Sequence, residues 1–230
     1  MSQNFRLENI GLINRDKKLS FKFNGVDYYG YEGDTLASAL IANGVHLIGR
    51  SFKYHRPRGF FGAGVDEPYA IVQLYRNGET EPNVKSTEQE LFEGLEATSI
   101  NCWPNVNFDI GAINNFLKPF LPAGFYYKTF MWPKSFWHKV YEPIIRKAAG
   151  LGVASIKHDK ERYEHKYEYC DLLIAGSGPS GLASAYAAAK NGARVILAED
   201  KARHGGTLLT SDVNIGNQSG KEWADGIISE

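Results

Sequence analysis

The chain contains 230 residues, of which 43% are hydrophobic and 23% are charged, a composition typical of soluble globular proteins. Its 26 lysines and arginines balance 26 aspartates and glutamates, and this zero net charge argues against a nucleic-acid partner or a membrane partner. The opening residues show no signal peptide, and no window is apolar enough for a membrane helix. The two cysteines lie in no metal-binding spacing. These features predict a cytoplasmic protein without a metal site.

The first predicted elements are a hairpin and a helix within a front domain at residues 1–100. Apolar and polar residues alternate from Leu19, and Asn24-Gly25 is a strong signal for a type I′ turn. A helix is predicted over residues 35–43, with Asp34 as its N-cap.

A long loop, GRSFKYHRPRGFFGAGVDEP at residues 49–68, separates this helix from a strand predicted at 70–75. Hairpin, helix, long loop and strand follow the order of a β-grasp, and the order resembles the plant-type ferredoxin domain. In that domain the loop carries cysteines for an iron–sulfur cluster, which needs four thiolates in most cases. The loop has no cysteine. We therefore expect a ferredoxin-like β-grasp without a cluster.

The same loop is basic and aromatic, with Arg50, Lys53, His55, Arg56 and Arg58. This composition favours an ordered loop packed on another domain or subunit. Contact with an anion or a flavin phosphate is an alternative, and binding of single-stranded nucleic acid is a further one. The histidine is a candidate for catalysis, but the sequence indicates no partner carboxylate, so no catalytic residue is assigned.

Residues 101–165 form an aromatic, proline-rich connecting region. Its prolines exclude one continuous helix, and its aromatic residues indicate a region that buries a large area. We predict a helix over residues 133–149, kinked at Pro143. Residues 157–169 are charged and predict a solvated connector.

Residues 166–230 carry a nucleotide-binding pattern. Leu172–Ala175 is wholly apolar, as expected for a parallel strand buried on both faces, and a G-x-G-x-x-G sequence follows it at residues 176–181. The next helix stops at Asn191-Gly192, and a second apolar strand, Val195–Ala198, leads to an acidic residue. This is the first βαβ portion of a Rossmann-like domain, so we expect a chain that combines α+β and α/β regions. One crossover cannot close a Rossmann sheet, so a truncated domain is expected.

Each part of this pattern has a physical role. Gly176 permits the tight turn, Gly178 lets the backbone approach a pyrophosphate, and Gly181 lets the helix pack closely on the strand. Glu199 is placed to accept hydrogen bonds from a ribose hydroxyl and to repel a 2′-phosphate, which disfavours NADP. The loop does not distinguish NAD from FAD, although the second glycine pair, Gly205-Gly206, leans towards FAD.

Four stretches carry a family resemblance: GRSFKYHRPRGFFGAGVDEP, FLPAGFYYKTFMWP, YEPIIRKAAGLG and the dinucleotide loop. They are similar to the N-terminal part of the alpha subunit of heterotetrameric sarcosine oxidases. That family converts sarcosine to glycine and hydrogen peroxide and passes the one-carbon unit to tetrahydrofolate, giving 5,10-methylenetetrahydrofolate. Its front domain is a β-grasp without a cluster.

The resemblance implies that this chain holds NAD, and that FAD, FMN and tetrahydrofolate bind elsewhere in a complex with beta, gamma and delta subunits. Carried over by motif position, the nucleotide contacts are Gly176, Gly178, Pro179, Ser180, Gly181, Glu199, Asp200, Lys201, Gly206 and Thr207. A lysine at position 201 replaces the expected arginine and retains the charge. Two alternatives stay open: a subunit of a related FAD-dependent amine or opine dehydrogenase, or a non-catalytic assembly module.

Overall fold

A computed structural model describes the chain at residues 3–8, 10–76, 78–121, 123–124, 130–148, 150–158 and 162–230. The chain folds as two compact units, residues 1–159 and 160–230. The first unit therefore contains the front domain together with most of the predicted connecting region. Within the described ranges, no helix has the length and apolar character that a membrane span requires.

The first unit is built on a five-stranded mixed sheet. Its strands are β1 (Asn14–Phe23), β2 (Val26–Glu32), β5 (Ile71–Arg76), β6 (Glu79–Lys85) and β7 (Leu95–Ser99), in the spatial order β2-β1-β7-β5-β6. The strands β1 and β7 run parallel, whereas the other neighbours are antiparallel. Two short strands, β3 (Gly49–Arg50) and β4 (Pro57–Arg58), pair separately within the long loop.

The predicted hairpin and helix are present. Asn24 and Gly25 both have positive φ, 51° and 79°, as a type I′ turn requires. The helix α1 (Leu36–Ala42) is capped by Thr35 and not by Asp34, so the predicted cap is wrong. The Asp34 carboxylate is buried and instead accepts hydrogen bonds from Arg6 and from the Tyr31 amide.

The core of this unit lies between α1 and the sheet. Its fully buried or nearly fully buried side chains include Phe23, Leu36, Leu40, Leu74 and Leu95. Because these residues alternate along the strands and recur on one helix face, each element presents one apolar side to the other.

The connecting region has only short helical segments among its described residues. They are 3₁₀ helices at Ile110–Asn115, Lys118–Phe120 and Lys134–Phe136, a π-helical turn at Trp137–Tyr141 and the helix α2 (Glu142–Ala148). The predicted single helix over 133–149 is therefore wrong in form: the helix type changes before Pro143, where a proline is tolerated in the first turn.

Several aromatic side chains of this region are exposed, contrary to the expectation that they bury a large area. Trp103 is 68% exposed, Phe116 84% and Trp132 83%. Short 3₁₀ segments present no continuous face on which so many rings can pack together. The region thus forms an apolar surface on the first unit.

The second unit begins with the predicted βαβ pattern. The strands β8 (Leu172–Ala175) and β9 (Val195–Ala198) pair in parallel, and the helix α3 (Pro179–Lys190) connects them. A short hairpin of β10 (Asn214–Ile215) and β11 (Gln218–Ser219) leads into the helix α4 (Gly220–Ser229). The small core of the second unit contains Leu182, Leu208 and Ala224.

The prediction that β8 is buried on both faces is wrong for this chain. Leu172 is 38% exposed and Leu173 is 63% exposed. The sheet has two strands, and α3 packs on it, so part of the apolar strand surface faces solvent.

Candidate functional site

The glycine-rich sequence forms a tight strand-to-helix turn in the second unit. Gly176 has φ +96°, a left-handed conformation that glycine adopts readily, and its amide donates to the Ala198 carbonyl at 2.7 Å. Gly178 is the N-cap of α3, and Pro179 and Ser180 begin its first turn. The free amides and the positive end of the helix dipole therefore lie at this loop, where they favour an anionic ligand.

The glycines of the loop meet different surroundings. A Cβ at Gly181 would collide with the Gly176 carbonyl oxygen and lie 3.4 Å from Ile174 Cγ2, so close packing of helix on strand requires glycine there. A Cβ at Gly178 would meet no atom of this chain within 4 Å. The open space beside Gly178 is where a ligand can approach the backbone.

Glu199 follows β9 and lies beside the loop. One of its carboxylate oxygens accepts hydrogen bonds from the Ser177 hydroxyl and, at 2.7 Å, from the Ser177 amide. The other accepts from the amides of Asp200 and Lys201, each at 3.0 Å. These bonds, led by those from Ser177, lower the pKa of Glu199 to about 2, so the carboxylate is ionised at neutral pH.

Ser177 was missed by the sequence reasoning, which treated it as a variable position of the motif. Ser177 is fully buried, and its hydroxyl donates a hydrogen bond to the carboxylate of Glu199, 22 residues further along the chain. A serine directly after the first glycine, combined with an acid at the end of the second strand, is the sequence signal that could have predicted this contact.

The second glycine pair packs against the first loop. The Gly205 amide donates to the Ser177 carbonyl at 2.9 Å, and a Cβ at Gly206 would lie 3.0 Å from the Gly178 Cα. A 3₁₀ helix, Gly206–Leu209, carries Thr207 from this point. The structure thus brings Gly206 to the glycine loop.

Asp200 and Lys201 lie beyond the end of β9. Both side chains are exposed, and their charged atoms are 3.5 Å apart. Their backbone amides hold the carboxylate of Glu199, as described above. Their side chains are therefore accessible to a ligand, whereas their backbone amides donate hydrogen bonds to the carboxylate of Glu199.

A separate polar cluster lies in the first unit around His55. The His55 Nδ1 atom is 2.6 Å from Asp109 Oδ2, and the Asp109 side chain is fully buried. The other Asp109 oxygen accepts from the amides of Trp103 and Gly111, at 3.0 and 3.1 Å. The ring lies against Gly111, where a Cβ would collide with it. The structure thus supplies the partner carboxylate that the sequence did not reveal.

This pair borders a cavity of about 480 Å³, which is also lined by Gln73, Cys102 and Lys147. Burial raises the pKa of the Cys102 thiol; the Asp109 charge adds to this effect, and Arg50 opposes it. The thiol is therefore neutral at physiological pH and is a poor nucleophile. The cluster fixes the basic loop to the connecting region, because the Arg50 guanidinium also donates to the Val106 carbonyl at 2.7 and 2.8 Å.

Comparisons with known proteins define the class of the two units. Residues 16–102 match a family model described as a 2Fe-2S iron–sulfur cluster binding domain, and residues 171–230 match one described as an FAD-dependent oxidoreductase. The crystal structure of L-proline dehydrogenase from P. horikoshii is similar in fold, with a TM-score of 0.50 at 17% identity over 94% of this chain and 32% of that one. The chain therefore combines a ferredoxin-type domain with the start of an FAD-dependent-oxidoreductase domain.

Similar sequences then specify the relationship. The sarcosine oxidase alpha subunit of Rhizobium meliloti (strain 1021) is 55% identical over 220 residues, which are 96% of this chain and 22% of that protein. The alpha subunit of Corynebacterium sp. (strain U-96) is 29% identical over 95% of this chain and 18% of its own length. The chain is homologous to the N-terminal part of sarcosine oxidase alpha subunits, which confirms the resemblance. It spans about a fifth of the length of these curated relatives.

The residues of the first unit do not fit the cluster that the family model's description names. Such clusters take four thiolates in most proteins, and Cys102 is the single cysteine between residues 16 and 102. Within the described parts of the chain, no group of three or more histidine, cysteine, aspartate or glutamate residues has the arrangement of a metal site. No step is therefore assigned to an iron–sulfur cluster.

Proposed function

We propose that this chain is the N-terminal portion of the alpha subunit of a sarcosine oxidase, and that its second unit binds the adenosine and pyrophosphate part of NAD. The homology to sarcosine oxidase alpha subunits over 96% of the chain supports the first statement. The reaction is the oxidative demethylation of sarcosine with transfer of the one-carbon unit to tetrahydrofolate. Its FAD, FMN and folate sites belong to other parts of the complex with the beta, gamma and delta subunits.

The observation that carries the nucleotide site is the convergence of three features on one loop. Open space lies beside Gly178, the first turn of α3 begins there with amides that have no partner within the helix, and the ionised Glu199 lies next to the glycine loop. A pyrophosphate is stabilised by the helix amides, and a ribose diol donates to a carboxylate. Residues of the second glycine pair, Gly206 and Thr207, and the exposed side chains of Asp200 and Lys201 complete the proposed contacts.

FAD is the second candidate for the same site. The family model matched by residues 171–230 is described as an FAD-dependent oxidoreductase, and Gly205-Gly206 packs on the first glycine loop. NAD and FAD share an adenosine and a pyrophosphate, so the same residues serve either. Under this alternative the chain is a subunit of an FAD-dependent amine or opine dehydrogenase.

Extraction of the nucleotide from the purified full-length protein tests the proposal. We expect NAD in a stoichiometric amount when the denatured protein is analysed by mass spectrometry. FAD bound to the alpha chain, with no NAD, contradicts the choice of nucleotide. The absence of any nucleotide from an active complex contradicts the site itself and favours the assembly module.

The role of Glu199 is tested separately by Glu199→Ala in the full-length protein. Loss of charge-assisted hydrogen bonds to a ribose is expected to cost about 1.5–3 kcal/mol, which weakens nucleotide binding roughly 10- to 100-fold. Glu222→Ala is the matched control, because Glu222 also accepts from the amide and hydroxyl of one serine, Ser219, at the start of α4. Equal nucleotide loss in both variants shows that Glu199 acts through stability alone.

A further inference from the structure

The loop between α1 and β5 contains a fully buried carboxylate, that of Glu67. Its Oε2 atom accepts hydrogen bonds from the amides of Phe61 and Gly62, at 2.6 and 2.7 Å. Its Oε1 atom accepts from the amides of Tyr69 and Ala70, at 2.7 and 3.1 Å. Four backbone donors thus converge on one anionic group.

These hydrogen bonds decide the charge of the group. Burial by itself raises the pKa of the Glu67 carboxyl, but the four amides outweigh burial and the pKa lies below its ordinary value. An ionised carboxylate is costly to bury unless its oxygens are satisfied by donors, and here both oxygens are satisfied. The anion and the amides therefore require each other.

The donors come from two parts of the loop that are seven to nine residues apart. Phe61 and Gly62 lie before the short 3₁₀ helix Gly64–Asp66, whereas Tyr69 and Ala70 lie just before β5. Ala70 is fully buried in the core of the sheet. The carboxylate thus closes the loop on itself and fixes it to the edge of the core, which a neutral side chain of the same shape does less well.

Converging backbone amides form an anion-binding concavity, an arrangement that proteins also use at iron–sulfur sites. The family model that matches residues 16–102 is described as a 2Fe-2S iron–sulfur cluster binding domain, yet the chain has a single cysteine in this range. We infer that the Glu67 carboxylate replaces a metal cluster as the anion that orders residues 61–70, and that this domain is a metal-free scaffold. The side chain provides internally the negative charge around which the amides converge.

Amide hydrogen exchange of the full-length protein tests this inference. In Glu67→Gln, we expect the amides of Phe61, Gly62, Tyr69 and Ala70 to exchange roughly tenfold faster or more, because each loses a charged acceptor. Glu93→Gln is the matched control: Glu93 accepts from the Ser20 amide at 2.9 Å but is fully exposed, and its removal leaves residues 61–70 unchanged. Unchanged protection of these amides in Glu67→Gln overturns the inference.

Chemical rescue provides an independent measurement. Glu67→Ala removes the equivalent of an acetate ion, so added sodium acetate is expected to restore protection of residues 61–70, whereas sodium chloride at equal ionic strength restores less. Equal effects of the two salts overturn the inference. If both variants fail to fold, iron and acid-labile sulfide are measured in the wild-type protein purified without oxygen. Values near zero support a metal-free loop, and stoichiometric values overturn it.

Discussion

The two units of this chain bury their apolar residues to different extents. In the first unit, α1 and five strands bury Phe23, Leu36 and Leu95 almost completely. In the second unit, a two-stranded parallel sheet leaves Leu173 63% exposed, and the fully or largely buried apolar core contains Leu182, Leu208 and Ala224. Parallel sheets are normally covered on both faces, because their strands are apolar on both sides.

This difference teaches that a complete local motif is not the same as a complete core. The glycine loop, α3 and Glu199 adopt their places through contacts within about 30 residues of chain, as the Ser177–Glu199 bonds show. The first unit instead depends on contacts between distant residues, such as the parallel pairing of Phe21 with Leu95. Because these distant contacts complete a buried core, we expect the first unit to be more stable when it is isolated than the second unit.

The largest expected effect is that of truncating a leucine in the first core. Leu95→Ala is predicted to reduce the free energy of unfolding of the first unit by about 2–5 kcal/mol, because a buried leucine leaves a cavity. Leu173→Ala is its counterpart on the exposed strand, with an expected cost below about 0.5 kcal/mol in the 230-residue chain. Urea denaturation followed by hydrogen exchange in each unit measures both. A Leu95→Ala cost below about 1 kcal/mol contradicts the contrast.

Within the second unit, two glycines separate folding from binding. Gly181→Ala places a methyl group against the Gly176 carbonyl and is predicted to cost about 1–3 kcal/mol of stability, with faster hydrogen exchange in α3. A methyl group at Gly178 meets no protein atom within 4 Å, so Gly178→Ala is expected to cost less stability than Gly181→Ala, but it obstructs the nucleotide. Nucleotide retention by Gly178→Ala at the wild-type level shows that the ligand does not approach this backbone.

In the first unit, Asp109→Asn tests the contact between the basic loop and the connecting region. Asparagine keeps one acceptor oxygen for the amides of Trp103 and Gly111, but it places a neutral NH2 group beside His55 Nδ1 in place of a carboxylate oxygen. The change is predicted to cost about 1–3 kcal/mol. Asp27→Asn is the control, because Asp27 is exposed and is 3.9 Å from Lys22. Thermal unfolding that is identical for both variants means that the cluster does not hold the loop.

The smallest expected effect is a response of the second unit to acid. The pKa of Glu199 is lowered to about 2 from an ordinary value of 4.5, so its contribution to stability is complete above about pH 4.5 and is lost as the pH falls towards 2. Because the side chain is exposed, solvent screening keeps this contribution small. We expect Ser177→Ala to reduce the difference in unfolding temperature between pH 6 and pH 3. An undiminished difference assigns the acid sensitivity to other carboxyl groups.

Local signals predicted several elements at the right residues. The Asn24-Gly25 turn, the strands β8 and β9 and the end of α3 before Asn191-Gly192 depend on short-range sterics, which a sequence pattern displays directly. The N-cap of α1 was displaced by one residue, because Asp34 forms an ion pair with Arg6, 28 residues away. Helix ends are sensitive to such distant competition.

By itself, the sequence determined the hairpin, the glycine turn and the family resemblance, since these depend on residue types at fixed spacing. Only the tertiary structure decided which distant groups meet: His55 with Asp109, 54 residues on, and β1 beside β7. It also decided that the Glu67 carboxylate accepts hydrogen bonds from four backbone amides between residues 61 and 70. The physical reason is that the partner of a buried charge or of a strand is decided when the whole core packs together. The spacing of residues along the chain does not indicate which distant residue will be that partner.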